Sequence, residues 1–114
     1  MAALAYAQDD EAKCCCTTYD TSVCLTAVRK AVDHELNTTY LQAMEKMKKH
    51  YTAQDVQNLR TAERLWIAYR DATCNAEYGL WGKGSGGPNA FGFCIVRMTK
   101  QRIVDIKNAY LPEH

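Results

Sequence analysis

The residues of this 114-residue chain best equipped for chemistry are its six cysteines. Cys14, Cys15 and Cys16 are consecutive, Cys24 follows shortly after, and Cys74 and Cys94 stand far downstream. A reducing compartment would turn such a set toward metal or redox work, an oxidising one toward disulfides. Metal binding is poorly served. There is no Cys-x-x-Cys, and three adjacent side chains cannot converge on a tetrahedral ion. His34, His50 and His114 share no motif spacing, and His34 between Asp33 and Glu35 reads as an exposed helix residue. No Gly-x-Ser-x-Gly, His-Glu-x-x-His or phosphate-loop pattern occurs, and Gly84-Ser85-Gly86 reads as a flexible turn. The chain therefore offers no catalytic residue, no metal site and no cofactor motif, and it reads as a non-enzyme.

The N-terminus decides the redox reading. Ala5-Tyr6-Ala7 fits a small-x-small processing site, with Gln8-Asp9-Asp10 as a mature start. The basic and long apolar parts of a signal peptide are absent. Residues 1–13 are thus expected to be a residual signal tail or a disordered arm, and residues 14–114 a single domain. The expected location is periplasmic or secreted. No apolar run is long enough to span a membrane. Fourteen basic residues against thirteen acidic ones give no reason to invoke nucleic acid. The charge is uneven, net −3 over residues 1–40 and net +3 over residues 41–70. Solvated helix faces account for this, and the acidic end would also suit a basic partner.

Three helices must position these groups. After a cap at Asp20, Thr21 or Ser22, apolar residues fall at Leu25, Val28, Val32, Leu36, Tyr40, Met44, Met47 and Tyr51. Steps of three and four make one helical stripe over about residues 21–50. Thr52-Ala53-Gln54-Asp55 is a capping signature, and it restarts the chain as a helix over about 53–78. Its stripe reads Val56, Leu59, Ala62, Trp66, Tyr69, Thr73 and Ala76. Gly79 is a C-terminal stop. Residues 82–90 are too rich in glycine for helix or strand. A third helix follows over about 91–111, with Ile95, Met98, Thr99, Arg102, Ile106 and Tyr110 on one side and Pro112 after its end. No alternating strand pattern, repeat or second domain is visible. The expected fold is all-α, an antiparallel three-helix bundle stapled by disulfides.

Bonding Cys74 to Cys94 makes the second and third helices antiparallel and sets their register. Steps of four back from Cys74 reach Arg70 and Trp66; steps of four on from Cys94 reach Met98 and Arg102. Arg70 should oppose Met98. Trp66 should oppose Arg102, a guanidinium over an indole, with Glu63 one turn away to pair with the same arginine. Folding the arm back lets Cys14, Cys15 or Cys16 bond Cys24. Two thiols then remain, either free or available to link chains into a dimer. Asn37, Arg70, Asp71 and Arg102 could pass for a catalytic cluster, but a structural hydrogen-bond network between helices is the better reading.

These landmarks resemble the LprI-like lysozyme-inhibitor domain of exported bacterial proteins. Cys24 is followed by Glu35-Leu36-Asn37 and Tyr40. Ala62 and Trp66 then precede Tyr69-Arg70-Asp71 and Cys74. A Gly84-Ser85 loop leads to Cys94, Thr99 and Arg102. The resemblance covers about residues 14–107. Three cysteines stand where the family pattern carries one, and the family's longer spacing favours Cys14 as the partner of Cys24. The resemblance implies a helical, disulfide-bonded exported domain that binds a protein, lysozyme or another peptidoglycan hydrolase. A loop protruding from the bundle is the natural inhibitory element, with Lys83, Ser85 and Asn89 as contacts for carboxylates in a hydrolase cleft. The alternatives are an immunity protein against a peptidoglycan amidase, or a structural accessory of the envelope.

Overall fold

A computed structural model of the protein describes residues 17–112. Three helices account for nearly all of them: α1 (Thr18–His50), α2 (Ala53–Gly79) and α3 (Gly87–Tyr110). They form an elongated bundle of 49 × 27 × 22 Å. No strand occurs among the described residues. The expected all-α bundle is what the chain forms.

The helix ends follow from local chemistry. α1 begins three residues earlier than its spacing predicted. Thr17, not Asp20 or a later residue, is the cap, and its hydroxyl accepts the Asp20 N–H at 3.0 Å. Asp20 sits in the first turn, where a carboxylate complements the helix dipole. Lys48, Lys49 and His50 complement the other end. The Thr52 signature forms a full capping box. The Asp55 N–H donates to Thr52 Oγ1 and the Thr52 N–H to Asp55 Oδ2, both at 3.1 Å. Only two residues separate α1 from α2, so the helices must reverse sharply and run antiparallel.

α3 departs most from expectation. It starts at Gly87, so residues 87–90, read as loop, are helix. Pro88 stands in the first turn, where its missing N–H costs nothing and its fixed φ suits the helix. Asn89 Nδ2 donates to the Thr18 carbonyl at 3.1 Å and ties the starts of α3 and α1 together.

α3 is the central element. It packs along both other helices, while α1 and α2 meet each other far less. Toward the α1–α2 turn, Leu36, Ala43, Met44 and Met47 pack with Val56, Leu59, Ile103 and Ile106. Toward the other end, Leu25 and Val32 of α1 meet Val96 of α3. There Gly92 lets the backbones approach, since a Cβ in its place would collide with the Leu25 side chain.

α2 presents only part of the face its apolar residues suggested: Val56, Leu59 and Trp66 point inward as expected. Ala62, Tyr69 and Ala76 are exposed, Tyr69 at 64%. The inward line is Val56, Leu59, Glu63, Trp66, Arg70 and Cys74. Beyond its first two turns, the helix turns charge inward and apolar side chains outward. Tyr51, expected on the α1 stripe, lies beyond the helix and is 55% exposed.

Candidate functional site

The disulfide Cys74–Cys94 joins α2 to α3, with a Cα separation of 5.6 Å and both residues fully buried. Toward the tip of the bundle, Arg97 pairs with Glu77 at 3.0 Å. Toward the middle lies the polar interior of α2. Arg70 Nε and Nη2 both reach Asp71 Oδ1 at 3.0 Å, and Nη1 donates to the buried Thr99 hydroxyl at 3.3 Å. Arg102 Nε and Nη2 both donate to Glu63 Oε2, at 3.2 and 3.1 Å. Trp66 lies between the two arginines, whose Cζ atoms stand 5.3 and 5.8 Å from its ring. The Trp66–Arg102–Glu63 arrangement is the one the helical register predicted. Arg70 meets Thr99 rather than Met98, whose sulfur instead lies 3.8 Å from Cys74 Sγ.

This arrangement holds helices together. Each guanidinium has its carboxylate, and each side chain is spent on its neighbour. Asn37, expected in the network, is exposed outside it. With Tyr40, Glu63 and Arg70 it lines a cleft of ≈ 350 Å³ between α1 and α2. Among the described residues no group of three or more His, Cys, Asp or Glu could hold a metal ion. Cys24 is disulfide-bonded, and the choice of partner among Cys14, Cys15 and Cys16 falls outside the described residues. The same holds for the processing site, the acidic arm and the spare thiols.

The more exposed candidate lies at the stapled tip. Residues 80–86 connect α2 to α3, with Leu80 85% and Trp81 53% exposed and with Lys83 and Ser85 open to solvent. The loop is ordered turn by turn. Backbone N–H groups of Leu80, Trp81, Gly82, Gly84 and Gly87 each donate to the carbonyl three residues earlier. Its glycines serve close packing. A Cβ on Gly86 would come within 2.8 Å of the Trp81 ring, and one on Gly87 within 3.2 Å of the Tyr78 ring. Gly82 alone takes a left-handed conformation, at φ 56°. The indole is therefore laid across the loop and held there, with about half of it open. Below it, Tyr78 meets Phe91 edge to face, and Arg29 lies over the Phe91 ring at 5.7 Å.

Gly86 and Gly87, read with the rest of the loop as a flexible turn, also make room for the Trp81 and Tyr78 rings. Asn89 lies in α3 and is engaged with α1, so it is not a loop contact. Leu80 and Trp81 were missed. Their signal was present in the sequence: two large apolar residues in a connection, off every helical stripe.

The profile of the lysozyme inhibitor LprI family matches residues 9–106. The chain belongs to the LprI family. A similar protein is an uncharacterized protein of Rhizobium meliloti (strain 1021). It is 30% identical over 97 residues, covering 77% of this chain and 70% of the relative. No solved structure matches the chain. Within the LprI frame, Trp66, Arg70, Thr99 and Arg102 join α2 to α3, and Asp71 pairs with Arg70 on α2 itself. Asn37 and Tyr69 do no such work, because both are exposed. No helix among the described residues is long and apolar enough to cross a membrane.

Proposed function

We propose that this LprI chain is an exported protein that binds and inhibits a cell-wall hydrolase, a lysozyme before others, through the tip formed by residues 80–86. The observation that carries the reading is the held, half-exposed indole of Trp81 beside Leu80, Lys83 and Ser85. A rigid aromatic anchor binds with little loss of conformational entropy, and such anchors dominate interface energies. Glycosidase clefts carry a pair of carboxylates, which a lysine approaches as a counter-charge and a serine meets as a hydrogen-bond donor. The Cys74–Cys94 bond fixes the base of the tip, so the partner meets a formed surface. Periplasmic or secreted location follows from the same reading, since the hydrolase and the disulfides both belong there.

The test is lysis of a bacterial cell-wall suspension by purified lysozyme, with and without the oxidised protein. Inhibition should appear with the native chain. It should fall about tenfold or more for Trp81→Ala, and less for Lys83→Ala and Ser85→Ala, with an unchanged thermal midpoint for the last two. Normal inhibition by all three variants, together with its loss on changing Asp9, Asp10 and Glu11, would move the site to the acidic arm. Absence of inhibition by the native protein would reject the reading.

A further inference from the structure

The outward face of α2 is used by neither the core nor the tip. Ala62, Leu65, Tyr69, Ala72, Ala76 and Gly79 are all exposed, Leu65 at 66% and Tyr69 at 64%. They are separated by three, four, three, four and three residues, the a and d positions of a heptad. The seam runs about 25 Å at 1.5 Å per residue and carries no charge. It exists because α2 uses Glu63, Arg70 and Glu77 on α3 and its neighbours, which leaves its apolar residues outside. Apolar surface gathered on one line of a helix marks an interaction site.

The order of side-chain sizes points to what covers it. An antiparallel pair of such seams brings a positions opposite d positions. With the two-fold axis level with the peptide between Arg70 and Asp71, Leu65 faces the partner's Ala76 and Tyr69 faces the partner's Ala72. Ala62 faces the partner's Gly79, and each layer repeats on the other side of the axis. Each large side chain then meets a small one, so the two helices approach closely without collision. A parallel pair would instead stack Tyr69 on Tyr69 and Leu65 on Leu65, leaving the alanine layers empty.

We propose that the outward face of α2 is a homodimer interface, in which a second copy of this chain packs antiparallel through Ala62, Leu65, Tyr69, Ala72, Ala76 and Gly79. This interface is independent of the inhibitory reading and of any bond between spare cysteines. Two helices in contact over ~25 Å bury on the order of 1,000 Å² in total, the lower limit for a specific interface. The dimer is accordingly reversible and dissociates in the micromolar range, on the order of 10–100 µM.

Sedimentation velocity of the oxidised protein tests this, over loading concentrations from about 5 to about 500 µM, a range that brackets that dissociation constant. The native chain should pass from monomer to dimer. Leu65→Glu and Ala76→Lys should each weaken dimerisation at least about tenfold. Both positions are exposed, so far-ultraviolet dichroism should stay native. Mixing the two variants should restore the dimer. The antiparallel register sets the introduced carboxylate of one copy against the introduced ammonium of the other and leaves the second Leu65–Ala76 layer intact. A chain that stays monomeric throughout would overturn the proposal and leave the seam to a different protein. Variants that dimerise like the native chain would also overturn it, as would a mixture that stays monomeric. So would a dimer found only as a disulfide-linked species on non-reducing gels.

Discussion

Replacing Glu63 and Arg102, singly and together, tests how the polar interior of α2 holds the bundle. The pair is well buried, with the Glu63 side chain 9% and the Arg102 side chain 16% exposed. Both guanidinium N–H groups converge on Oε2, and the buried Oε1 has no hydrogen-bond partner. Glu63→Leu strands a guanidinium against Trp66, and such a loss costs about 3–5 kcal/mol. The lower end applies, because Arg102 keeps a little solvent and the Trp66 ring, so about 3 kcal/mol is expected. Arg102→Leu leaves a carboxylate that is more deeply buried and loses the cation–π contact, which adds about 1 kcal/mol. About 4 kcal/mol is expected there. The double replacement strands nothing. It also removes the orphaned oxygen, whose desolvation costs about 1–3 kcal/mol. The double variant should therefore lie within about 1 kcal/mol of the native protein, far from the roughly 7 kcal/mol of the summed singles. Urea unfolding of the oxidised chain, followed by far-ultraviolet dichroism, measures all four corners of the cycle. The slope of free energy against urea should stay common to all four. Additive singles would refute the argument. So would a Glu63→Leu variant as stable as the native chain, which would show the arginine finding water once its carboxylate is gone.

Two further outcomes follow from the packing. Replacing Cys74 and Cys94 together by alanine should cost about 3 kcal/mol on the chain-entropy estimate for a loop of this size, read as a lowered urea midpoint, and it should loosen the 80–86 tip first in amide exchange. Gly92→Ala should cost about 1–3 kcal/mol by overpacking against Leu25, and combining it with Leu25→Ala should cost less than the two single losses summed, read in thermal unfolding.

How far the sequence could be read depended on which physical term built each element. α1 was legible because it offers a single apolar line to α3. Leu25, Val32, Leu36, Met44 and Met47 are all buried at the predicted steps. The register of α2 on α3 was also legible, since one covalent bond and a helical rise suffice to set it. The inward face of α2 was legible only in part: its apolar stripe held at Val56, Leu59 and Trp66 and failed at Ala62, Tyr69 and Ala76. A search for apolar periodicity selects Ala62, Tyr69 and Ala76, while the helix packs through Glu63 and Arg70. Charge paired across the interface carries no apolar signature, and it was the register counted from Cys74 and Cys94 that brought Glu63, Trp66 and Arg102 together. The start of α3 was obscured by glycine. Pro88 was a first-turn signal, but Gly86 and Gly87 outweighed it, because their role is to admit the Trp81 and Tyr78 rings.

The inverted polarity of α2 also connects the two surfaces the chain leaves open. A helix held by hydrogen-bonded charges needs no apolar inward line beyond its first turns, so its apolar residues are free for partners. They run outward along Ala62 to Gly79 and end beside Leu80 and Trp81. In the antiparallel dimer the axis passes near residue 70, and Trp81 lies about ten residues from it, ~16 Å along the helix. The two tips then sit at opposite ends, roughly 30 Å apart along the seam, and both stay uncovered. Dimerisation would thus present two hydrolase-binding tips facing away from each other and would block neither. The arrangement makes a separable demand on experiment. Leu65→Glu should weaken the dimer at least about tenfold while inhibition per chain stays at the native level. Trp81→Ala should weaken inhibition about tenfold or more while the dimer remains. A Leu65→Glu chain that folds yet loses inhibition would show that the seam, not the tip, meets the hydrolase.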